Sequence, residues 1–260
     1  MNIFVIFGTQ RTGGTALLDA LNKHPSVECH RELFMPRTTE ELCFTKYRRT
    51  LTRSARWLHP LATRTEYLDQ MLVKPATPAV RGFKLTYNQL AAGNIASSVA
   101  YRVPRATMTL RDRGLVRWMH GEDVRIVHTL RANLLKIIVS EDRAKARGIY
   151  HAKESSLRLD QITLQTRGLV RRLRELDATV RQMRGLASEF RAVEVEYGDF
   201  LATPEVVLER ICTFLGVEPR RGMQSDFTKV TDDNLEKVLV NYEEVAVCLA
   251  STQFRAMLPK

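Results

Sequence analysis

Ile3-Phe4-Val5-Ile6-Phe7-Gly8-Thr9-Gln10-Arg11-Thr12-Gly13-Gly14-Thr15-Ala16-Leu17 decides how the rest of the chain is read. The first five residues are apolar without interruption and rich in β-branched and aromatic types, the pattern of a strand buried on both faces. Gly8 to Gly14 form a polar, glycine-bearing turn. From Thr15 to Lys23, Ala16, Leu17, Ala20 and Leu21 fall on one side of a helix, which ends at His24-Pro25. Strand, glycine-rich turn and helix make the opening unit of a nucleotide-binding α/β fold. The expected architecture is a three-layer P-loop-type fold, with a central, mostly parallel sheet flanked by helices in a single domain over residues 1–260.

The turn has the spacing G-x-x-x-x-G, with Gly14 where a nucleoside triphosphatase carries lysine. Small residues let backbone N–H groups converge on an anion at a helix N-terminus, where the dipole is positive. Arg11 adds a planar positive charge, and Thr12 and Thr15 offer hydroxyls. An ordinary strand-to-helix junction would use the same glycines for tightness alone. The missing lysine argues against ATP or GTP hydrolysis, and the sequence offers no apolar strand ending in Asp to hold magnesium beside the loop.

Further along, Val80–Leu85, Val124–Leu130 and Val193–Tyr197 read as strands. A helical pattern with Leu134, Leu135, Ile138 and Val139 follows the second of these. Residues 157–190 read as one long basic helix with an apolar stripe through Leu159, Ile162, Leu169, Leu173, Leu176 and Met183. Pro204 opens a helix that runs to Leu215 and is capped by Gly216. Residues 225–260 read as a polar loop and one or two helices, and residues 35–75 as helices and loops over one end of the sheet.

A chain of 260 residues that is 44% hydrophobic and 27% charged is neither disordered nor fibrous, and buries a substantial core. Cys29, Cys43, Cys212 and Cys248 lie too far apart for a metal motif and read as reduced thiols. No apolar run is long enough to span a bilayer, and no signal segment precedes the first strand, so a cytoplasmic protein is expected. The net charge of +11 is uneven: residues 100–191 carry 20 basic and 10 acidic groups, residues 192–260 carry 7 and 12. A basic body implies an anionic partner without choosing among nucleic acid, phosphorylated cofactor, acidic glycan and membrane.

The loop Phe7-Gly8-Thr9-Gln10-Arg11-Thr12-Gly13-Gly14-Thr15-Ala16-Leu17-Leu18 resembles the Q-R-[ST]-G-[ST]-T-x-L-L element of sulfotransferases that use 3′-phosphoadenylyl sulfate (PAPS), most closely the bacterial carbohydrate and glycolipid branch, which includes the trehalose and Nod-factor enzymes. The resemblance implies that Gln10, Arg11, Thr12, Gly13, Gly14, Thr15 and Ala16 bind the 5′-phosphosulfate, with Arg11 also acting in catalysis as the clamp on the transferring group and the leaving phosphate. Gly14 departs from the usual Ser or Thr. Val127–Leu130, Arg131 and Ser140 are similar to the family's 3′-phosphate element, a strand, an Arg and a helical Ser. There Arg forks onto the phosphate and Ser reaches it from the helix. The nine-residue spacing matches the glycolipid branch. A spacing of eight would fall on Ala132. Val195–Glu205 with Ile211–Val217 resembles a structural landmark of the family, in which Gly198 replaces an acidic residue. Gly82-Phe83-Lys84-Leu85, Gln89-Leu90 and Asn241–Val245 also match the branch, and Lys229 lies where the family closes over the 3′-phosphate.

For the proton acceptor, the resemblance points to Glu32, just before Leu33-Phe34. A carboxylate against apolar neighbours would have a raised pKa, which suits a general base. A surface Glu paired with Arg31 or Arg37 is the plainer reading of Glu32. His30 is the alternative base, its intrinsic pKa already suitable; Glu28 and His128 are weaker candidates, His128 reading as a core histidine. The implied protein is a PAPS-dependent sulfotransferase without a metal, releasing PAP, with a glycan, glycolipid or small-molecule hydroxyl or amine as acceptor and the region 35–75 forming its pocket. A P-loop nucleotide kinase is the alternative. A nucleic-acid binder is disfavoured by the low aromatic content and the lack of a recognition motif. The long basic helix is a candidate homodimer face.

Overall fold

The computed structural model describes residues 2–35, 43–51, 62–74, 77–91, 110–147, 161–227 and 234–258. Its centre is a five-stranded sheet of β1 (Asn2–Gly8), β2 (Val27–His30), β3 (Val80–Thr86), β4 (Arg125–Leu130) and β5 (Ala192–Glu196), in the order β2-β3-β1-β4-β5. Every pairing is parallel. The α/β reading therefore holds. β1 is central, and its residues alternate between two cores. Ile3, Val5 and Phe7 join Phe83, Leu85 and Ile126 on one face, while Phe4 and Ile6 join Val80, Val127 and Val195 on the other. All five apolar residues of β1 are at most 2% exposed. At about 2 kcal/mol for each buried side chain, this run contributes roughly 10 kcal/mol of gross hydrophobic stabilisation.

Helices complete the outer layers. α1 (Gly14–Leu21) and α9 (Pro204–Leu215) cover the Phe4 face with Leu17, Leu21, Leu208 and Ile211. The Phe7 face is covered by α2 (Phe44–Thr50), α3 (Ala62–Leu68), α5 (Leu110–Gly121) and the C-terminal part of α7 (Leu169–Ala187), through Phe44, Leu68, Trp118 and Met183. A third cluster joins α6 (Leu134–Arg147), α7, α10 (Leu235–Val238) and α11 (Tyr242–Leu249). Short helices α4 (Tyr87–Ala91) and α8 (Tyr197–Ala202) follow β3 and β5 directly. Among the described residues no helix is long and apolar enough to cross a membrane.

Two elements differ from expectation. The long basic helix is shorter, because Gly168 takes a left-handed φ of 80° at its N-cap and Ile162 lies in extended backbone, donating to Val238 O and accepting from Val240 N–H. Ile162 packs against the same cluster as Leu169, so its apolar position is met without a helical turn; residues 157–160 lie outside the described residues. The apolar stripe of α7 (Leu169, Leu173, Leu176, Met183) is buried inside the chain. β2 is the second difference. Only four residues long, it buries Val27 and Cys29 and leaves Glu28 and His30 half-covered, an alternation too brief to stand out in the sequence.

Gly8 lies beside Thr86 on one flank and Thr129 on the other. The glycine-rich turn therefore leaves the sheet where the strand order reverses, β2 and β3 to one side, β4 and β5 to the other. In open α/β sheets this crevice at the carboxyl ends of the strands is where ligands bind.

Candidate functional site

The turn after β1 is built to present backbone donors. Gly13, at φ 81°, is the N-cap of α1 and provides no side-chain cap. Leu17 N–H makes the first intrahelical bond, to Gly13 O at 3.0 Å, so the amides of Gly14, Thr15 and Ala16 have no partner within the helix and point outward at the positive end of its dipole. A Cβ on Gly13 would lie 2.5 Å from Cδ2 of Tyr197, which adds a steric requirement for glycine to the dihedral one. The Thr12 hydroxyl is turned inward: it donates to Thr9 O at 2.8 Å and lies 2.9 Å from Thr129 Oγ1. Thr12 thus fixes the loop to β4 by its hydroxyl. Gln10 is half-buried at the start of the turn.

On the β3 flank, Lys84 Nζ donates to Thr15 Oγ1 at 2.9 Å and pairs with Glu32 Oε1 at 2.8 Å. Glu32 Oε2 accepts from Gln89 Nε2 at 3.1 Å, and Gln89 Oε1 accepts from the Thr86 N–H at 3.4 Å. The Lys84 and Glu32 side chains are only 11% and 16% exposed. Glu32 therefore does not sit bare among apolar groups, as its Leu33-Phe34 neighbours suggested: a strand lysine and a helix amide hold its two oxygens. A Cβ on Gly14 would stand 3.4 Å from Lys84 Cε, an ordinary van der Waals distance, so the residue that departs from the resembled loop lies beside the lysine stem without being required there by sterics. The sequence marks Lys84 and Gln89 as part of a strand and the turn after it, in stretches that match the resembled branch, without giving either a role. The available signal is a lysine inside a strand otherwise buried along its length.

On the β4 flank, Arg11, itself at φ 65°, donates from Nε to Ser140 Oγ at 2.9 Å. A non-glycine residue held at positive φ is a strained position of the kind that collects at functional sites. Arg131 donates from Nη1 to Arg11 O at 3.4 Å and lies over the Tyr197 ring, 4.9 Å from its centroid. Such a cation–π contact fixes the guanidinium plane. Ser140, from the middle of α6, is buried. The fold thus brings Arg11, Arg131 and Ser140 together from three separate elements. The Ala132 N–H donates to Glu196 Oε1 at 3.0 Å.

The other base candidates stand elsewhere. His30 lies on β2, its Nε2 3.8 Å from Glu28 Oε1, and burial holds its imidazole below the usual histidine range, with Glu28 opposing and Arg81 assisting. Glu28 also accepts from the buried Arg81 Nε at 3.2 Å, which makes these three residues a cluster at the β2 edge. His128 is a core histidine. Its Nε2 is 2.5 Å from the Tyr87 hydroxyl, its ring stacks on Phe7, and burial pulls its pKa down to about 4. Lys229 lies outside the described residues. Next to Glu32, Phe34 anchors an aromatic cluster with Phe44 and Tyr67, extended by Tyr47 and crossed by Arg64, 5.1 Å from the Phe34 ring centroid. The described parts of 35–75 therefore pack beside the candidate base.

Comparison with known proteins gives one family. The model described as "Sulfotransferase family" matches residues 3–221. No curated protein matches the sequence. Among solved structures, a sulfotransferase from Alicyclobacillus acidocaldarius is 15% identical with a TM-score of 0.49, the match covering 99% of this chain and 96% of that one. A sulfotransferase domain from the curacin biosynthetic pathway is 14% identical with a TM-score of 0.47, covering 100% and 99%.

Proposed function

Because the chain belongs to the sulfotransferase family, we propose that it is a single-domain enzyme that moves a sulfuryl group from PAPS to a hydroxyl or amine acceptor, with a sugar or glycolipid hydroxyl favoured by the motif resemblance. The observation that carries the donor assignment is the convergence of Arg11, Arg131 and Ser140 on one side of an amide-presenting loop. A donor with a phosphate at each end of its nucleoside needs two neighbouring anion sites, and the residues present fit it. The amides of Gly14, Thr15 and Ala16, with Thr15 Oγ1 and Lys84, suit the 5′ end. Arg131, Ser140 and Arg11 suit the 3′-phosphate.

When bound, the donor supplies the sulfuryl group and keeps the electron pair of the broken S–O bond, while the acceptor oxygen bonds sulfur and gives up its proton. Glu32 takes that proton. Its carboxylate has lone pairs beyond those engaged by its neighbours, and the Gln89 contact to its second oxygen fixes its orientation. Lys84, Thr15 and the loop amides would stabilise the charge left on the 5′-phosphate, as electrostatic stabilisation of group transfer requires. Arg11, from the same loop, is retained as the cation beside the transferring group and the leaving phosphate; its Nε also donates to Ser140, which ties it to the neighbouring 3′-phosphate groups.

Calorimetric titration with PAP, AMP and ATP tests the proposal. PAP should bind at least 10-fold more tightly than AMP, since charged contacts to the second phosphate are worth about 1.5–3 kcal/mol. Equal affinities, or magnesium-dependent ATP turnover, would replace this reading with the nucleotide-kinase one.

A further inference from the structure

We infer that Glu32 and the sulfuryl donor compete for one ammonium, that of Lys84, so that donor binding hands the carboxylate over to the acceptor's proton. The inference rests on the donor reading above and adds a coupling to it. Lys84 Nζ stands within hydrogen-bond distance of both Thr15 Oγ1, in the first turn of α1, and Glu32 Oε1. Thr15 belongs to the anion cradle and Glu32 to the proton-handling side, so one cation lies at the boundary between them. An ammonium is a compact point charge on a flexible stem and follows the nearest anion. In a site this sheltered, a change of anionic neighbour has a larger effect than it would in water.

Of the two partners, the carboxylate is the better anchored. Gln89 holds its second oxygen and is itself tied to the Thr86 backbone at the end of β3. Lys84 is the member free to turn: its ammonium sits at the end of a four-carbon stem with rotatable bonds and passes beside Gly14. In this structure Glu32 is the anion Lys84 neutralises. With a phosphosulfate in the cradle, a second anion stands beside Thr15, Lys84 turns toward it, and Glu32 Oε1 becomes available to the acceptor hydroxyl. The coupling is reciprocal by thermodynamic necessity, so the carboxylate must weaken donor binding by the amount that the donor weakens the ion pair.

That reciprocity supplies the test. PAPS and PAP are titrated, without acceptor, into the wild type, Glu32→Gln, Lys84→Met and the double variant. Glu32→Gln should bind PAPS about 3- to 10-fold more tightly than the wild type, with a smaller gain for PAP, and the gain should vanish in the Lys84→Met background. Unchanged or weaker binding by Glu32→Gln overturns the inference. So does an equal gain with and without Lys84, which would be the plain effect of removing a negative charge near an anion site. If the wild type binds neither nucleotide, the donor reading falls and this inference with it; if it binds both and Glu32→Gln shows no gain, this inference alone falls. Should Lys84→Met fail to fold, Lys84→Gln, which removes the charge and keeps polar contacts, takes its place.

Discussion

The two flanks of the loop after β1 use cations in different ways. Toward β4, Arg11 donates to a serine hydroxyl, and Arg131 donates to a backbone carbonyl and covers a tyrosine ring. Toward β3, Lys84 pairs with a carboxylate. Planar guanidiniums fixed by an aromatic face and a carbonyl are suited to gripping a phosphate in one orientation. A flexible ammonium shared with a carboxylate is suited to changing partners. On the proposed reading, one flank holds the donor and the other performs the transfer, with α1 as the divide. Variants on the two sides should then fail in different kinetic constants.

The largest effect should come from the β3 flank. Glu32→Gln keeps the size of the side chain and a contact to Gln89 but removes the proton acceptor, and kcat should fall by about 10²- to 10⁴-fold, the usual range for a general base. Donor affinity measured by titration should improve, as the coupling through Lys84 requires. A kcat within threefold of the wild type would remove Glu32 from the chemistry and erase the proposed division.

The β4 flank should give the opposite signature. Arg131→Ala removes a charge-assisted contact, and donor Kd should rise by about 10- to 100-fold, corresponding to about 1.5–3 kcal/mol, with kcat measured at saturating donor within about threefold of the wild type. A comparable loss in kcat would mean that both flanks take part in the transfer step. The donor KM and kcat of this variant, set against those of Glu32→Gln, are the measurement that decides.

The two flanks were also unequally legible in the sequence. The loop, β1 and α1 are contiguous, and a buried strand followed by a glycine turn and a helix declares itself through local periodicity and composition. Arg131 and Ser140 share one strand–helix unit, so their spacing carries information before the fold is known. The β3 flank is assembled from distant residues: Thr15, Glu32, Lys84 and Gln89 come from four elements and meet only when β2 and β3 pair beside β1. Glu32 is singled out by the family resemblance, since its local sequence alone reads as a surface carboxylate, and the lysine that neutralises it is given no role, because a lysine in a strand says nothing about what it faces. The overlong helix over 157–190 failed in the opposite way. Ile162 and Leu169 keep helical spacing although the backbone between them is not helical throughout, since both side chains reach the same core from different kinds of structure.

The smallest effect on turnover should come from beneath both flanks. His128 lies on β4 with its ring on Phe7, its Nε2 on the Tyr87 hydroxyl and its Nδ1 3.8 Å from Glu194, whose carboxylate is held by Arg184. Burial lowers its pKa to about 4, against the opposing pull of Glu194 and with the help of Arg184. In the unfolded chain the same imidazole takes a proton near pH 6.5. Between these values the unfolded state binds more protons than the folded one, so stability rises with pH across this window and is lost on acidification, by about 3 kcal/mol in all. His128→Gln should flatten the dependence of unfolding free energy on pH between 6.5 and 4, while kcat at neutral pH stays within about twofold. A variant that kept the full slope would place the titrating group elsewhere. One that lost turnover at neutral pH would show that the β4 core governs the transfer as well as the fold, and the division between the two flanks would then extend below the loop into the sheet that carries it.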